Sequence, residues 1–356
     1  MSKLNIAVDA MGGDDAPQMA IEGVARAAKI SDAHFLVFGD EEKLRPFVER
    51  EPNLMDSITI IHTPDVVSSE DKPSQAVRRG RGSSMGLAIK AVKEGEAQVA
   101  VSAGNTGALM ALSKILLRTV PGIDRPAIAT PMPTATGECL MLDLGANIEC
   151  DEKNLVQFAV MGAAYARIVF EIDRPKLALL NVGVEELKGH EAVKTAGQIL
   201  KETKDLPMEF VGFTEGDGIS EGNIDVIVTD GFTGNVALKA IEGIARLIKQ
   251  LLEQSFRRNW MSKLGYLLAR KGILNLRNEL DPNNHNGGVF LGLGGLVVKS
   301  HGGANARGFA SALKVAENMA RNDLNSLIMQ DLKNFSGNYA VESDNVAEAE
   351  ADPKEK

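Results

Sequence analysis

The 356-residue sequence has few cysteines and no long apolar segment. Its two cysteines, Cys139 and Cys150, form neither a C-x-x-C pair nor a closely spaced framework, which argues against a disulfide-stabilised secreted domain. No stretch of about 18 apolar residues is present to span a bilayer, and the first residues lack the apolar core of a signal peptide. We therefore expect a cytoplasmic protein.

The sequence also lacks an excess of basic charge. It has 39 Lys and Arg against 48 Asp and Glu, a net charge of −9, which argues against a protein whose main task is to bind nucleic acid. Hydrophobic residues make up 44% of the chain, enough for a sizeable core. Residues 341–356 hold six acidic and two basic residues with little apolar content. We expect one folded domain over residues 1–336 and a disordered acidic tail over 337–356.

Familiar nucleotide, metal and nucleophile motifs are absent from the sequence. There is no G-x-x-x-x-G-K-[ST] loop, and the nearest approach to G-x-G-x-x-G, at 292–295, does not sit on a strand-to-helix turn with an acidic residue about 20 positions later. There is neither a G-x-S-x-G elbow nor an H-E-x-x-H motif, and the five histidines are scattered without ligand spacing. We expect no cofactor and no metal site.

Short apolar runs alternate with helical patterns along the chain, which is typical of a parallel sheet with crossover helices. The pattern predicts an α/β fold with a mostly parallel sheet. Predicted strands cover residues 5–9, 35–38, 58–62, 99–102, 127–130, 140–143, 177–181 and 226–229. Predicted helices cover residues 17–29, 85–94, 107–118, 154–170, 190–202, 235–258 and 304–330.

Five glycine-rich segments follow predicted strands and precede predicted helices. They are VDAMGGD (8–14), VSAGNTGALM (101–110), LDLGANIE (142–149), LNVGVEELKG (180–189) and VTDGFTGNVALK (228–239). In open parallel sheets, ligands bind beyond the carboxyl ends of the strands, where helix N-terminal N–H groups point at an anion. The segments predict one shared anion site at one edge of the sheet. The plainer interpretation is that each glycine only permits a strand-to-helix turn.

A basic and apolar segment covers residues 250–280. Six Lys and Arg and no acidic residue fall between Gln254 and Asn278, interleaved with apolar side chains and the only tryptophan, Trp260. This composition predicts a helical arm that lies in a membrane interface, packs on a second copy of the chain, or does both.

Six motifs, taken in order, resemble the bacterial phosphate acyltransferase family of phospholipid synthesis, the PlsX family. They are VDAMGGD, SAGNTGALM (102–110), LDLGAN (142–147), NVGVEELKG (181–189), TDGFTGNVALK (229–239) and KSHGGAN (299–305), and the resemblance extends from residue 4 to about residue 330. It implies a homodimer with a Rossmann-like three-layer α/β/α sandwich, like those of isocitrate dehydrogenase and phosphotransacetylase. It further implies transfer of a long-chain acyl group from acyl-acyl carrier protein to inorganic phosphate, giving acyl phosphate for phosphatidic acid synthesis.

The implied reaction needs no nucleophilic side chain, because phosphate is itself the nucleophile and the enzyme must hold it and polarise a thioester carbonyl. By motif position, Lys188 and Asn235 are the predicted catalytic pair. Lys188 would neutralise phosphate or the developing oxyanion, and Asn235 would donate a hydrogen bond to the thioester oxygen. His301 is predicted to protonate the leaving thiolate. The plainer alternatives are a solvated lysine, a helix cap and a core histidine.

Other residues of the same motifs are predicted to bind phosphate or substrate or to build the turns. They are Gly12, Gly13, Asp14, Ser102, Gly104, Asn105, Thr106, Gly107, Asn147, Asn181, Asp230, Thr233 and Asn305. Asp9 and Asp230, which end predicted strands, are expected to orient Lys188 or to accept backbone hydrogen bonds. The acyl channel is expected near residues 110–118 and 260–276.

The resemblance also implies partners. The carrier protein is acidic, so its docking patch should be basic, and a long-chain product used by a downstream membrane acyltransferase implies peripheral attachment to the inner face of the cell membrane. Predicted carrier or membrane contacts are Arg78, Arg79, Arg81, Arg257, Arg258, Trp260, Lys263, Arg270 and Lys271. Three alternatives stay open: a phosphotransacetylase-like enzyme that uses acyl-coenzyme A, a metal- and NADP-dependent 2-hydroxyacid dehydrogenase, and a non-catalytic membrane-associated module.

Overall fold

The computed structural model of the chain describes residues 4–68, 70, 71, 73–279 and 286–335. The strands are β1 Asn5–Asp9, β2 His34–Gly39, β3 Ile58–His62, β4 Val99–Ser102, β5 Ala127–Pro133, β6 Glu138–Leu142, β7 Lys176–Leu180, β8 Glu209–Thr214, β9 Val226–Val228, β10 Gly288–Leu291 and β11 Leu296–Lys299. The helices are α1 Gln18–Ala28, α2 Glu41–Val48, α3 Pro73–Arg79, α4 Ser84–Lys93, α5 Thr106–Leu117, α6 Glu152–Val169, α7 Glu191–Glu202, α8 Gly231–Arg257, α9 Trp260–Glu279 and α10 Ala306–Arg321, and residues 324–335 are also helical. The predicted acidic tail, 337–356, lies outside the described residues.

All of these strands belong to one sheet, in the order β3-β2-β1-β4-β11-β10-β5-β6-β9-β7-β8. Neighbours are parallel from β3 to β11 and again from β6 to β8. The three pairs between these halves, β11 with β10, β10 with β5 and β5 with β6, are antiparallel. The prediction of a mostly parallel α/β sheet is therefore confirmed.

The three antiparallel pairs reverse the strand direction between the two halves of the sheet. The carboxyl ends of β1 and β4 consequently lie at one edge, and those of β6, β7 and β9 lie at the opposite edge. The prediction that all five glycine-rich segments share one edge is wrong. The sequence pattern signalled strands but carried no sign of the reversal at β5 and β10.

Helices cover both faces of the sheet, because successive strand residues point to opposite sides. Ile6 and Val8 of β1 belong to a core that includes side chains of α1, α2, α6, α7 and α10. Ala7, between them, packs under α3, α4 and α5 on the second face. Further along that face, α8 packs on β6 and β9. The predicted three-layer sandwich is confirmed.

A seam divides the second face between α5 and α8. Ile128 of β5 packs against the buried cluster under α3–α5 and also against the cluster under α8, so it marks the boundary between the two. This strip of the second face is called the seam below.

The predicted helix over 304–330 is interrupted. Helix α10 ends at Arg321, and Asp323 has a φ of 46°, a left-handed conformation that breaks a right-handed helix. Residues 324–335 then form a separate helical segment. The sequence pattern also missed α2, α3, β8, β10 and β11.

The basic and apolar segment forms a helical arm, made of the distal part of α8 and of α9. Phe256 and Tyr266 pack edge to face across the two helices, with ring centroids 5.5 Å apart. Trp260 and Leu268 are 74% and 82% exposed. Within the described residues, no helix is both long enough and apolar enough to cross a membrane.

Candidate active site

The segments after β1 and β4 meet at one edge of the sheet. Ser102 Oγ donates to Asp9 Oδ2 at 2.6 Å, and the Met11 N–H donates to Asp9 Oδ1 at 3.2 Å. The Gly104 N–H donates in turn to Ser102 Oγ at 3.0 Å. Burial raises the pKa of Asp9 even though these hydrogen bonds lower it. Asp9 therefore ties the first two motifs together, which is the backbone-binding role expected for it.

Two glycines of the first motif are required by close backbone approach. A Cβ on Gly12 would lie 2.6 Å from the Gly104 nitrogen. Gly13 has a φ of +111°, and a Cβ added there would lie 3.1 Å from Ala103 Cβ, closer than an ordinary contact. Beside them, the Asp14 N–H donates to Gly302 O at 2.9 Å, which brings the segment after β11 to the same edge.

Lys299, the last residue of β11, lies between these segments and the seam. Its Nζ donates to Ala103 O at 3.3 Å and also to Ser300 O. Burial lowers the pKa of Lys299 to about 8, although the carboxylates of Asp9 and Asp14 favour its charged form. Sequence reasoning missed this residue. The available signal was a lysine that closes the apolar run LVVK directly before the glycines of KSHGGAN.

His301 is fixed by its backbone and by one ring nitrogen. The His301 N–H donates to Asn286 Oδ1 at 2.9 Å, and Asn286 Nδ2 donates to Ser300 Oγ at 2.8 Å. His301 Nδ1 accepts from the Gly303 N–H at 3.1 Å, which assigns the proton of the neutral ring to Nε2. Burial lowers the pKa of His301 below its ordinary value of 6.5, so the ring is neutral at pH 7.

A cavity of about 470 Å³ occupies the seam. Its volume is in the range of small-molecule sites, about 300–1,000 Å³. Polar residues line it from both sides of the seam: Thr106, Asn235, Lys239, Glu242, Asn286, Lys299 and His301. Apolar residues of β5, α8 and the segment after β6 complete the lining: Ile128, Met132, Leu144, Leu238, Ile241 and Ala245.

The segments after β6 and β9 use most of their polar groups internally. The buried Asp143 accepts from the Ile128 N–H at 2.9 Å and from the Asn147 N–H at 2.7 Å. Asn147 Nδ2 donates to Asp143 Oδ2 and to Pro126 O. Asp230 caps α8 by accepting from the Thr233 N–H at 2.9 Å and from Thr233 Oγ1 at 2.7 Å. Asn147, Asp230 and Thr233 thus build the turns, following the plainer of their two predicted roles.

Of the site residues predicted in the segments after β6, β7 and β9, Asn235 reaches the cavity. It stands in the second turn of α8, exposed, and a Cβ placed on Gly145 would lie 3.6 Å from its own Cβ. It does not cap α8, since Asp230 does. Its side chain is available to a ligand in the seam.

Lys188 lies away from the cavity lining. Its Nζ donates to Glu185 Oε1 at 2.8 Å, the side chain is 51% exposed, and this hydrogen bond to Glu185 raises the pKa of Lys188. Asn181 Nδ2 donates to Lys188 O at 3.0 Å, which holds the loop closed. The structure therefore brings Asn235 and His301 together with Lys299, and does not bring Lys188 to them.

The remaining predicted residues fall into two groups. Asn105 caps α5 through the Ala108 N–H at 3.0 Å, and Asn305 caps α10 through the Arg307 and Gly308 N–H groups, both at 3.0 Å. Gly107 lies in the first turn of α5. The predicted carrier and membrane contacts are all exposed, at the end of α3 and on the arm: Arg78, Arg79, Arg81, Arg257, Arg258, Trp260, Lys263, Arg270 and Lys271.

Comparison with known proteins identifies relatives over almost the whole chain. Residues 4–327 match the family model described as "Fatty acid synthesis protein". The chain is 56% identical over 336 residues to the phosphate acyltransferase of Parvibaculum lavamentivorans, covering 94% of this chain and 93% of that protein. It is 51% identical over 332 residues to the phosphate acyltransferase of Rhodospirillum rubrum, covering 93% and 95%.

Solved structures confirm the fold that the motifs implied. A phosphotransacetylase from Streptococcus pyogenes has a TM-score of 0.59 at 18% identity, covering 90% of this chain and 94% of that one. The EutD phosphotransacetylase from Staphylococcus aureus has a TM-score of 0.58 at 17% identity, covering 89% and 94%. At these identities the similarity concerns the architecture alone.

Proposed function

This chain belongs to the phosphate acyltransferase family, and on that basis we propose that it transfers a long-chain acyl group from acyl-acyl carrier protein to inorganic phosphate. The products are acyl phosphate and the carrier protein with its free thiol. The cavity in the seam carries the proposal, because its lining combines cationic and hydrogen-bonding groups with apolar side chains. An acyl thioester and a phosphate ion together need both.

The proposed chemistry places the reacting atoms beside α8. An oxygen of hydrogen phosphate attacks the thioester carbon, negative charge develops on the carbonyl oxygen, and the carbon–sulfur bond then breaks as sulfur leaves with its electron pair. The proton that hydrogen phosphate loses on becoming acyl phosphate completes the thiol of the carrier protein. The side-chain amide of Asn235 is the proposed donor to the carbonyl oxygen. One such donor contributes about 10²–10³-fold to turnover. His301, neutral at pH 7, acts through Nε2–H as a second donor more readily than as the acid first predicted.

Lys188 remains the proposed partner of Asn235 by motif position. In that role its ammonium must exchange Glu185 for the substrate, because the two side chains now form an ion pair. Such an exposed pair is weak because water screens it, so the exchange needs little energy.

The acyl chain is proposed to lie along α8. Ile128 and Met132 share one face of β5 over about 13 Å, and Leu238, Ile241 and Ala245 share one face of α8 over about 10 Å. These two strips line the same cavity. Residues 110–118 and the described side chains of 260–274 do not line it, so the proposed chain site differs from the one expected from the sequence.

Carrier docking and membrane attachment are assigned to exposed surfaces of the chain. Exposed arginines near the end of α3 offer a basic patch for an acidic carrier protein. The arm combines exposed Trp260 and Leu268 with basic residues, the composition of an interfacial helix. We propose a cytoplasmic homodimer attached to the inner face of the cell membrane, which passes acyl phosphate to a membrane acyltransferase.

The direct test incubates the purified protein with long-chain acyl-carrier protein and phosphate, with neither divalent metal nor nucleotide, and traps acyl phosphate with hydroxylamine. Acyl hydroxamate that forms only when phosphate is present supports the proposal. Product from acyl-coenzyme A but not from the carrier substrate favours the phosphotransacetylase-like alternative. Vesicle binding without product from either donor favours the membrane-associated module.

A further inference from the structure

We propose that Lys299 binds the attacking phosphate ion directly, and that its ammonium group supplies the positive charge of the phosphate site. The proposal rests on the proposed function and adds a residue that the motif positions did not single out. It is based on the position of Lys299 in the cavity lining and on the hydrogen bonds that its ammonium group makes.

The hydrogen bonds of Lys299 leave it a donor for a ligand. An ammonium group has three N–H donors. Two are used by Ala103 O and Ser300 O, and the side chain lines the cavity. The third is therefore available to an oxygen atom in the cavity. Both acceptors are neutral carbonyls, so they orient the ammonium without neutralising its charge.

The charged groups around Lys299 come from the end of β1, from the segment after it and from α8. Asp9 at the end of β1 and the Asp14 carboxylate after it favour the charged lysine, whereas Lys239 of α8 opposes it. His301, two residues further on, faces Lys239, Glu242 and Asp14 as well. Burial outweighs the two carboxylates, which leaves an ammonium that lacks solvation. A bound anion would supply the missing stabilisation.

The other lysine in the cavity is already neutralised. Lys239 Nζ contacts both carboxylate oxygens of Glu242, at 3.1 and 3.0 Å, and it is exposed. A phosphate at Lys239 would have to compete with Glu242 and would be repelled by its carboxylate. Lys299 has no comparable competitor among its hydrogen-bond acceptors.

A dependence on pH follows from the burial of Lys299. Its pKa of about 8 means that the charge is present at pH 7 and is lost as the pH rises through about 8. Phosphate affinity should fall over the same interval, by up to tenfold per pH unit above the pKa. Arginine at this position keeps its charge throughout, because its pKa exceeds about 12.

The experiment measures phosphate binding by the phosphate-dependent rise in melting temperature and, separately, the KM for phosphate, between pH 6.5 and 9.5. The variants are Lys299→Met and Lys299→Arg, with Lys90→Met as the matched control, since Lys90 is an exposed lysine of α4 paired with Glu94. Lys299→Met should weaken phosphate binding about 100-fold at pH 7 and abolish the decline above pH 8. The phosphate affinity of Lys299→Arg should lie within about tenfold of that of the unmodified protein, and it should stay constant up to pH 9.5.

Two results would overturn the proposal. One is unchanged phosphate binding in a folded Lys299→Met protein. The other, which applies even if that variant does not fold, is a Lys299→Arg protein whose phosphate affinity still declines above pH 8 as in the unmodified chain. The melting assay does not need turnover. Phosphate binding that depends on Lys299 without any acyl phosphate would therefore refute the proposed function and leave this inference standing.

Discussion

Two glycine-rich segments each carry one lysine, and the sheet gives the two lysines opposite properties. Lys299 is the last residue of β11 in the middle of the sheet, donates to two carbonyl oxygens, and has its pKa lowered by burial. Lys188 follows β7 near one end of the sheet, is half exposed, and has its pKa raised by Glu185. The comparison shows that strand position determines the chemistry of a lysine more than its motif does.

The largest expected effect is on kcat, and it tests whether Lys188 belongs to the same site as Lys299. Asn235→Ala, in the cavity with Lys299, should lower kcat about 10²–10³-fold because the proposed donor to the developing oxyanion is lost. Lys188→Ala should have an effect of similar size if Lys188 is the partner of Asn235. Both side chains are exposed, so melting temperatures should stay unchanged.

Lys201→Ala is the matched control for Lys188→Ala, since Lys201 is also an exposed lysine in an ion pair, with Glu186. Its kcat should equal that of the unmodified protein. Full activity in Lys188→Ala would remove Lys188 from the site and leave Lys299 as its essential cation.

The next effect is on the free energy of unfolding. Replacing the buried Lys299 should raise it, whereas replacing the exposed Lys188 should change it little. The pKa of Lys299 is about 8 in the folded chain against an ordinary 10.5, so the folded state binds this proton more weakly than the unfolded state. Below pH 8 the buried charge therefore opposes folding, and this penalty disappears as the pH rises from about 8 to 10.5. Lys299→Met should raise the free energy of unfolding at pH 7 by about 1–2 kcal/mol, after the loss of two hydrogen bonds.

Denaturant unfolding at pH 7 and pH 9.5 checks this sign, and the gain should shrink at the higher pH. Lys188→Met, which removes an exposed charge, should change stability little at either pH. A destabilised Lys299→Met protein at pH 7 would mean that the bonds to Ala103 and Ser300 outweigh the burial of the charge.

A smaller effect tests the apolar part of the cavity lining. Ala245→Phe should fill part of the space beside α8 and lower the rate with long acyl chains about tenfold relative to short ones. Ala240→Phe is the matched control, because Ala240 lies on the same helix but is exposed and outside the lining. The ratio of rates for donors of different chain length is the measurement. Equal ratios in the two variants would place the acyl chain elsewhere.

The smallest effect is the dependence of binding on salt, which differs between exposed and buried charges. Raising the ionic strength from about 0.05 M to about 0.5 M should weaken carrier-protein binding about threefold if the exposed arginines at 78, 79 and 81 form its docking site. Phosphate binding at Lys299 should change less, because buried charges are screened less. Carrier affinity that does not respond to salt would count against the arginine patch.

Local patterns allowed much of the fold to be predicted. Strands β1, β3 and β4 were predicted at the residues where they occur, because each is a short apolar run bounded by turn residues. β10 and β11, with the sequences GVFL and LVVK, were missed, and a glycine-rich turn separates the two strands. Their strand identity depends on pairing with β5 and β4, which are distant in sequence.

The site was predictable only in part for the same reason. The motifs led to Asn235, Thr106 and His301, which do line the cavity. Lys299 was missed because a lysine at the end of an apolar run normally reaches solvent. Its burial arises when β11 is inserted between β4 and β10, a long-range arrangement that no local pattern reports.

The insertion of β10 and β11 between β4 and β5 has a consequence for the growing chain, because synthesis proceeds from the N-terminus. On the ribosome, β4 and β5 emerge long before β10 and β11, so each presents an unpaired edge that other chains could join. Among the described residues, β10 and β11 are the last strands to be synthesised, and they pair with both edges and complete the cavity together. A chain that ends before β10 and β11 therefore lacks the complete cavity. Catalytic activity consequently indicates that both of these strands have been synthesised and paired.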